Sequence, residues 1–131
     1  MLRKTLYSKI HRAVVTHCDV DYVGSITIDA DLLRATDMRP NEMVLVADCE
    51  NGHRFETYVF EGEPGSGVIG VNGAAARLVS PGDHLIICAW AQMTTEELDR
   101  HGAKVVVVDE RNRIAQQLTY PSTLSASQAI V

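Results

Sequence analysis

One dipeptide in this chain, Gly24-Ser25, has the residue types needed to cut its own backbone. A serine hydroxyl can attack the carbonyl of the preceding residue and convert that amide into an ester. Elimination from the ester leaves dehydroalanine, which hydrolyses to a pyruvoyl group. Glycine suits the first position because a strained turn needs backbone dihedrals that glycine adopts at little cost. Gly24-Ser25 is therefore a candidate for self-cleavage.

The dipeptide alone is weak support, because Gly and Ser are common and a second pair, Gly65-Ser66, follows later. Taken alone, Gly24-Ser25 is more simply explained as a turn entering a strand. The glycine-rich segment 61–67 lacks the lysine of a phosphate-binding loop and holds two acids, so we interpret it as a surface loop. A surface loop can relax and stores no strain, so we expect no cleavage at Gly65-Ser66.

Three residues near the N-terminus invite comparison with metal ligands: His11, His17 and Cys18. The two histidines are an even number of residues apart and would share one face of a strand. No second pair of ligands accompanies them, so we interpret all three as structural and expect no metal site.

Composition narrows the class of protein. The chain has 131 residues, enough for one domain, with 46% apolar and 22% charged residues, as in a globular protein. The net charge of −5 argues against nucleic-acid and membrane-surface partners, which usually need a basic face. The three cysteines are odd in number and none forms a C-x-x-C pair, so we expect a reducing, cytoplasmic compartment.

Short runs of β-branched and apolar residues indicate a mainly β fold, a small β-barrel. The predicted strands are 13–16, 25–28, 43–49, 54–60, 68–71, 84–90 and 104–108. Asn51-Gly52 predicts a hairpin turn between the third and fourth of them.

The helices predicted from the sequence are short, at 29–35, 72–78 and 94–99, with Asp29 and Asn72 as N-cap candidates. We expect one domain over residues 1–119. The Ser-rich segment 120–131 predicts a disordered tail.

Four short motifs occur in the order and at the separations typical of one enzyme family. They are Lys9-Ile10-His11-Arg12, Tyr22-Val23-Gly24-Ser25, Asn51-Gly52-His53-Arg54-Phe55-Glu56-Thr57-Tyr58 and Val71-Asn72-Gly73-Ala74-Ala75-Ala76. On these motifs the chain, from about Arg3 to about Ala91, resembles the aspartate 1-decarboxylase family, pyruvoyl-dependent lyases that make β-alanine. The region from Met93 onward adds little to the resemblance.

The resemblance implies a double-psi β-barrel with a few short helices, assembled as a homotetramer with active sites between subunits. It also implies that the chain is a zymogen, cut autocatalytically between Gly24 and Ser25. The products would be a β chain of residues 1–24 and an α chain of 131 − 24 = 107 residues, beginning with a pyruvoyl group made from Ser25.

The family's chemistry is decarboxylation of L-aspartate. The pyruvoyl carbonyl forms a Schiff base with the amine, and the conjugated carbonyl accepts electrons as carbon dioxide leaves. This covalent pyruvoyl cofactor takes the place of pyridoxal phosphate, and no metal is implied. The product, β-alanine, feeds pantothenate and coenzyme A biosynthesis.

The resemblance also implies roles for individual side chains. Tyr58 matches the family's proton donor, while Arg54 and Lys9 match groups that bind the second carboxylate of aspartate. Thr57 matches a residue that contacts the Gly24 carbonyl during processing and lies at the substrate site. On a regular strand Arg54 and Tyr58 share a face and Thr57 points the other way, so a β-bulge or residues from different subunits must bring them together.

A third segment, Asn72-Gly73-Ala74-Ala75, matches the family segment that contacts substrate through its backbone and its Asn side chain. The alternative for this segment is an ordinary capped turn with tight packing.

Other functions stay open at this point. One is a pyruvoyl decarboxylase of another acidic amino acid such as glutamate, and another is a non-catalytic binding module on the same barrel. Maturation either is spontaneous or needs an accessory protein.

Overall fold

A computed structural model describes residues 1–125, and the last part of the predicted tail, residues 126–131, lies outside the described residues. The strands are β1 (Leu2–Val14), β2 (His17–Asp19), β3 (Ser25–Asp29), β4 (Met43–Asp48), β5 (Arg54–Gly62), β6 (Ile69–Asn72), β7 (His84–Thr94), β8 (Gly102–Val108) and β9 (Ile114–Pro121). The helices are α1 (Ala30–Thr36), α2 (Thr95–Asp99) and one 3-10 helix (Gly73–Arg77). The predicted mainly β class is confirmed.

The strands form one mixed sheet in the order β2-β6-β3-β5-β4-β7-β1-β8-β9. Three neighbouring pairs are parallel: β2 with β6, β3 with β5, and β1 with β8. The remaining pairs are antiparallel, including the β4–β5 hairpin predicted from Asn51-Gly52. Strand β3, which begins with Ser25, is therefore held on both sides, by β5 and by β6.

The core is aliphatic, as expected from an aromatic content of only 5%. Its largest fully buried side chains are all Ile, Leu or Val, contributed by β1, β3, β4, β5, β6, β7, α1 and Val15. Branched side chains pack densely between the layers of a twisted sheet. The same core therefore supports β3 and β5, the strands that carry the predicted site.

At both ends of the chain the structure contains more strand than the sequence predicts. Strand β1 begins at Leu2 rather than at residue 13, because its polar first half, from Leu2 to Ser8, pairs with β7 from Thr94 to Ala89. Strand β9 was not predicted, and it pairs with β8. Tyr120 and Pro121, expected to begin a disordered tail, belong to this strand, since Tyr120 pairs with Ala103 and Pro121 with Gly102.

Asp29 fixes the segment that follows β3. Its buried carboxylate accepts hydrogen bonds from the backbone N–H groups of Asp31, at the start of α1, and of Gly65 and Gly67. The predicted N-cap is thus confirmed, and the same side chain also ties down the 61–67 loop. Within residues 1–125 no helix is long and apolar enough to cross a membrane.

Tyr7 connects β1 to the C-terminal end of α1. Its hydroxyl donates a hydrogen bond to Oδ2 of Asp37, the C-cap residue of α1, and its ring stacks on His101 with centroids 5.4 Å apart. The hydrogen bond to Asp37, followed by burial, raises the pKa of Tyr7 from 10.0 to about 12. This contact holds β1, and with it Lys9, against the helix.

Replacing Tyr7 should therefore change the alkaline limit of stability. In the unfolded chain Tyr7 loses its proton near its ordinary pKa of 10.0, whereas the folded protein keeps it to about pH 12. The stability advantage of the parent over Tyr7→Phe is thus complete below pH 10 and declines between pH 10 and about 12. Urea unfolding of both chains across this range measures the difference. Tyr22→Phe, at an exposed tyrosine, should follow the parent throughout.

Candidate active site

The Gly24-Ser25 bond lies at the entrance to β3, where Ser25 pairs with Asn72 of β6. The φ angle of Ser25 is 117°, far from the value of about +57° at which non-glycine residues occasionally enter the left-handed region. A serine held there stores strain on the order of 1–3 kcal/mol. The sequence placed the unusual dihedral on Gly24, but the φ of Gly24 is not positive, and the strain lies on the serine.

The hydroxyl of Ser25 is buried and free. Ser25 is 2% exposed, and its Oγ has no hydrogen-bond partner. The second Gly-Ser pair is different, because there the glycine takes the positive φ and the exposed Ser66 Oγ donates to the carbonyl of Glu63 at 2.6 Å. Of the two pairs, only Gly24-Ser25 combines a strained serine with an unpaired hydroxyl.

Gly73 packs directly on Gly24. A Cβ at Gly73 would lie 3.1 Å from the Gly24 Cα and 3.7 Å from the Gly24 nitrogen. Gly73 also has a φ of +72°, which favours glycine on its own account. Any larger residue at position 73 must therefore push Gly24 away or move itself.

Asn72 lies beside Ser25. The sequence predicted that Asn72 caps the following helix, but its side chain does not do so. It is 4% exposed, and its Nδ2 donates to Thr27 Oγ1 at 3.2 Å, across β6 and β3. No side-chain cap forms at the 3-10 helix, whose first turn contains Ala74 and Ala75. The Asn72 amide is committed to β3, and it fixes the pairing that holds Ser25.

The hydroxyl of Tyr58 faces the same bond. Its Oη would lie 3.9 Å from a Cβ built on Gly24. The parallel pairing of Ile26 with Val59 places Tyr58 beside Ser25 on the neighbouring strand. The residue is 39% exposed, and among residues 1–125 its hydroxyl makes no hydrogen bond. This position suits a group that exchanges protons with the reacting atoms.

Thr57 lies on the other face of β5. Exposure alternates along the strand, with Arg54 and Tyr58 exposed and Thr57 partly buried. The pairing of β4 with β5 is regular from Arg54 to Tyr58, so no bulge turns Thr57 toward them. The structure thus confirms that Arg54 and Tyr58 share a face and that Thr57 does not.

Lys9 and Arg54 both lie within electrostatic reach of Cys88. Lys9 pairs with Cys88 across β1 and β7. Burial raises the pKa of the Cys88 thiol, while the charges of Lys9 and Arg54 both act to lower it, so both cations are within electrostatic reach. The Lys9 ammonium lies 4.9 Å from the centre of the Tyr120 ring, and in the described part of the chain Arg54 forms no ion pair. Cations without acidic partners suit an anionic ligand.

His11 lies beside Lys9, although its sequence context favoured a structural role. It follows Lys9 by two residues on β1, and its Nδ1 is buried without a hydrogen-bond partner. Burial and the charges of Lys9 and Arg12 lower the pKa of His11. The even spacing from Lys9 is the signal that could have placed it on this face.

Within one chain the predicted site residues form two groups that are separated from each other. Arg54 precedes Tyr58 by four residues, about 13 Å along an extended strand. Lys9 lies on β1, which is three strands from β5 and so about 14 Å away. The structure brings together Gly24, Ser25, Tyr58, Asn72 and Gly73, and it leaves Lys9 and Arg54 outside this group.

A cleft of about 540 Å³ lies beside Asn72, with Tyr22 and Thr27 also in its wall. Asp19, Glu61 and Glu63 also line it. Three carboxyl groups repel an anion, so this cleft does not suit an acidic ligand.

The close packing of Gly73 on Gly24 generates a prediction for Gly73→Ala. The added methyl should displace Gly24 and slow the appearance of any cleaved chain by about tenfold or more, since relief of a strain of about 1.4 kcal/mol corresponds to a factor of ten. Time-resolved intact mass measurement after expression reports the cleaved fraction.

Gly52→Ala is the matched control for the effect of the positive φ angle alone. Gly52 has nearly the same φ, +77°, but nothing lies within 4 Å of its missing Cβ. Both variants lose about 1 kcal/mol of stability from the positive φ, but Gly52→Ala should be cleaved at the parent rate. Equal cleavage rates in the two variants would contradict a role for packing at Gly73.

Comparisons with known proteins show the family of this chain. The sequence profile of the family described as "Aspartate decarboxylase" matches residues 1–115. The chain is also 52% identical over 123 residues to the aspartate 1-decarboxylase of Listeria welshimeri serovar 6b, a match that spans 94% of this chain and 97% of that protein. The Gly24-Ser25 pair, the residues packed on it and the Lys9 and Arg54 cations all fall inside the matched region. The chain belongs to the aspartate decarboxylase family.

Proposed function

We propose that this chain decarboxylates L-aspartate to β-alanine and carbon dioxide, using a pyruvoyl group that it makes from its own Ser25. Family membership supports the reaction. The observation that carries the pyruvoyl assignment is the state of Ser25, whose strained backbone and buried, unpaired hydroxyl fit the precursor of such a group. The reaction is that of a carboxy-lyase, and we expect it in the cytoplasm.

Self-cleavage begins at the Ser25 hydroxyl. Its oxygen bonds to the Gly24 carbonyl carbon, the amide C–N bond breaks, and the freed nitrogen takes up the hydroxyl proton. Elimination then releases Gly24 as a carboxylate, and hydrolysis of the resulting dehydroalanine releases ammonia. The strain at Ser25 falls once the amide is broken, so it favours the forward step.

Thr57 is proposed as the donor that polarises the Gly24 carbonyl. Because Ile26 pairs with Val59 in parallel, continuing the register by two residues brings Gly24 level with Thr57. A hydroxyl at that position can donate a hydrogen bond to the carbonyl oxygen as negative charge develops on it.

In the mature enzyme the pyruvoyl group supplies an electron sink for the electrons left when the carboxylate departs. The chain's own residues do the rest. Arg54, aided by Lys9, binds the side-chain carboxylate of aspartate, because the planar guanidinium matches its two oxygens. Tyr58 Oη, beside residues 24 and 25, delivers the proton that replaces carbon dioxide. The segment from Asn72 to Ala75 forms the wall behind the substrate.

We also propose that the site is completed between subunits of a homotetramer built from double-psi barrels. The separation of Lys9 and Arg54 from Ser25 within one chain supports this, because aspartate is too short to span it. Met43, which pairs with Tyr58, and Phe60, two residues further along β5, are exposed apolar residues, and a subunit interface would cover them. The parallel pairs β3–β5 and β1–β8 support the barrel assignment.

Ser25→Ala tests the proposed function. This variant lacks the attacking hydroxyl and should give one uncut chain that does not decarboxylate aspartate. Ser66→Ala, in the other Gly-Ser pair, is the matched control and should be cut and active like the parent. A Ser25→Ala protein that turns over aspartate at the parent's rate would exclude the pyruvoyl mechanism.

Substitutions of Arg54 and of Tyr58 should change different kinetic parameters, although the two residues lie on one face of the same strand. Arg54 contacts substrate in ground and transition states alike, so Arg54→Ala should raise KM by up to about 10² for a lost charged contact of about 3 kcal/mol. Tyr58→Phe removes only a hydroxyl, and general-acid roles contribute roughly 10²–10⁴, so kcat should fall with little change in KM.

Both variants must be assayed fully processed, with Arg100→Ala as the control for an exposed arginine outside the site. An unchanged kcat in Tyr58→Phe would remove the proton-donor role from Tyr58. An unchanged KM for aspartate in Arg54→Ala would remove the binding role from Arg54.

A further inference from the structure

We propose that Asp48, Glu50 and Asp83 form a binding site for a hard divalent cation of the Ca²⁺ class. One carboxylate oxygen from each residue lies within 4.8 Å of the others. Two such oxygens can share an ion whose metal–oxygen bonds are about 2.4 Å long, as in calcium sites. An all-carboxylate set favours hard cations over Zn²⁺ or Cu²⁺. These residues are distinct from His11, His17 and Cys18, for which the sequence analysis expected no metal.

Asp48 is the observation that points to a ligand. It ends β4, is 2% exposed, and its Oδ2 is buried without a hydrogen-bond partner. The other oxygen, Oδ1, accepts the backbone N–H of Glu50 at 2.8 Å. A buried carboxylate oxygen without a partner needs an ion, a water or a proton to satisfy it.

The charges around Asp48 favour an ion. One carboxylate oxygen of Asp48 and one of Asp83 lie within 4.8 Å of each other. Ionised carboxylates only accept hydrogen bonds, so neither can satisfy the other. Within residues 1–125 no Lys or Arg forms a salt bridge with Asp48, Glu50 or Asp83.

The other two ligands are already oriented. Glu50 accepts the backbone N–H of His84 at 2.7 Å and contacts the His84 ring at 2.8 Å, and the ring in turn contacts Glu110. Asp83 Oδ2 accepts the N–H of Ser80 at 3.0 Å. Outer hydrogen bonds of this kind fix metal-binding carboxylates in place. Glu50 is exposed and Asp83 partly so, which leaves an open side for the ion to enter.

A bound ion would join two turns of the fold. Asp48 ends β4 and Glu50 lies in the turn that leads from β4 into β5, whereas Asp83 belongs to the turn before β7. The first of these turns ends at Arg54. The cation would therefore hold the turn that presents Arg54, without touching the substrate.

Calcium binding by the full chain tests the proposal. Protein freed of divalent cations with a chelator is titrated with Ca²⁺ alone, followed by calorimetry and by thermal unfolding. We expect one saturable site per chain, with a Kd below about 10⁻³ M. At a hundredfold excess over Kd the midpoint of unfolding should rise by about 5 °C or more.

Asp48→Asn should weaken Ca²⁺ binding by at least about tenfold. Without calcium it should be no less stable than the parent, because the repulsion from Asp83 is relieved. Asp83→Asn, at a less buried position, provides the same test if Asp48→Asn does not fold. Glu96→Gln, at an exposed acid on α2, is the matched control and should bind like the parent.

Two results would overturn the proposal. One is the absence of saturable Ca²⁺ binding up to about 10⁻² M, beyond the weak end of protein calcium sites; this is the result expected if Asp48 instead holds a proton against Asp83. The other is equal affinity in the parent, Asp48→Asn and Asp83→Asn. Cleavage and aspartate turnover do not enter either readout, so the outcome is independent of the proposed function.

Discussion

The backbone of Ser25 is held from three directions, and the chemistry of the site depends on this constraint. Strand β6 pairs with Ser25 through Asn72, strand β5 pairs with the next residue, and Gly73 packs on Gly24 from outside. Relaxing φ from 117° would break one of these contacts. The aliphatic core beneath β3 and β5 resists such a change, since close-packed interiors transmit strain rather than absorb it. The fold thus maintains a backbone conformation at Ser25 that is unfavourable in a free peptide.

The same constraint explains why one Gly-Ser pair is a candidate for cleavage and the other is not. At Gly65-Ser66 the glycine takes the left-handed φ, and the serine hydroxyl donates to a nearby carbonyl. At Gly24-Ser25 the positive φ falls on the residue that bears the hydroxyl, and the hydroxyl has no partner. The two pairs consist of the same residue types. The surrounding strands decide which pair stores strain beside a free nucleophile.

Local patterns in the sequence predict much of this fold. Alternation in β5, the Asn51-Gly52 turn and the Asp29 cap depend on neighbours within a few residues, and the structure confirms them. Strand β9 and the first half of β1 were missed, because polar side chains on a paired, exposed strand resemble those of a loop.

The site was harder to predict than the fold. The motifs identify its residues, but the contact of Gly73 with Gly24 joins positions far apart in the chain, and no local pattern encodes it. The spacing of Lys9 and Arg54 from Ser25 depends on strand order, which is also a property of the whole sheet. The facing pair of Asp48 and Asp83 has the same origin, since two turns distant in sequence meet only in the fold.

The most direct test of the central claim is the intact mass of the freshly made chain, followed over time. The account predicts that the 131-residue chain disappears as two products form, one of residues 1–24 and one of residues 25–131. The larger product should be lighter, by one ammonia, than a chain that begins with serine. A chain that keeps its full mass while it decarboxylates aspartate would contradict the account, and so would a larger product with an N-terminal serine.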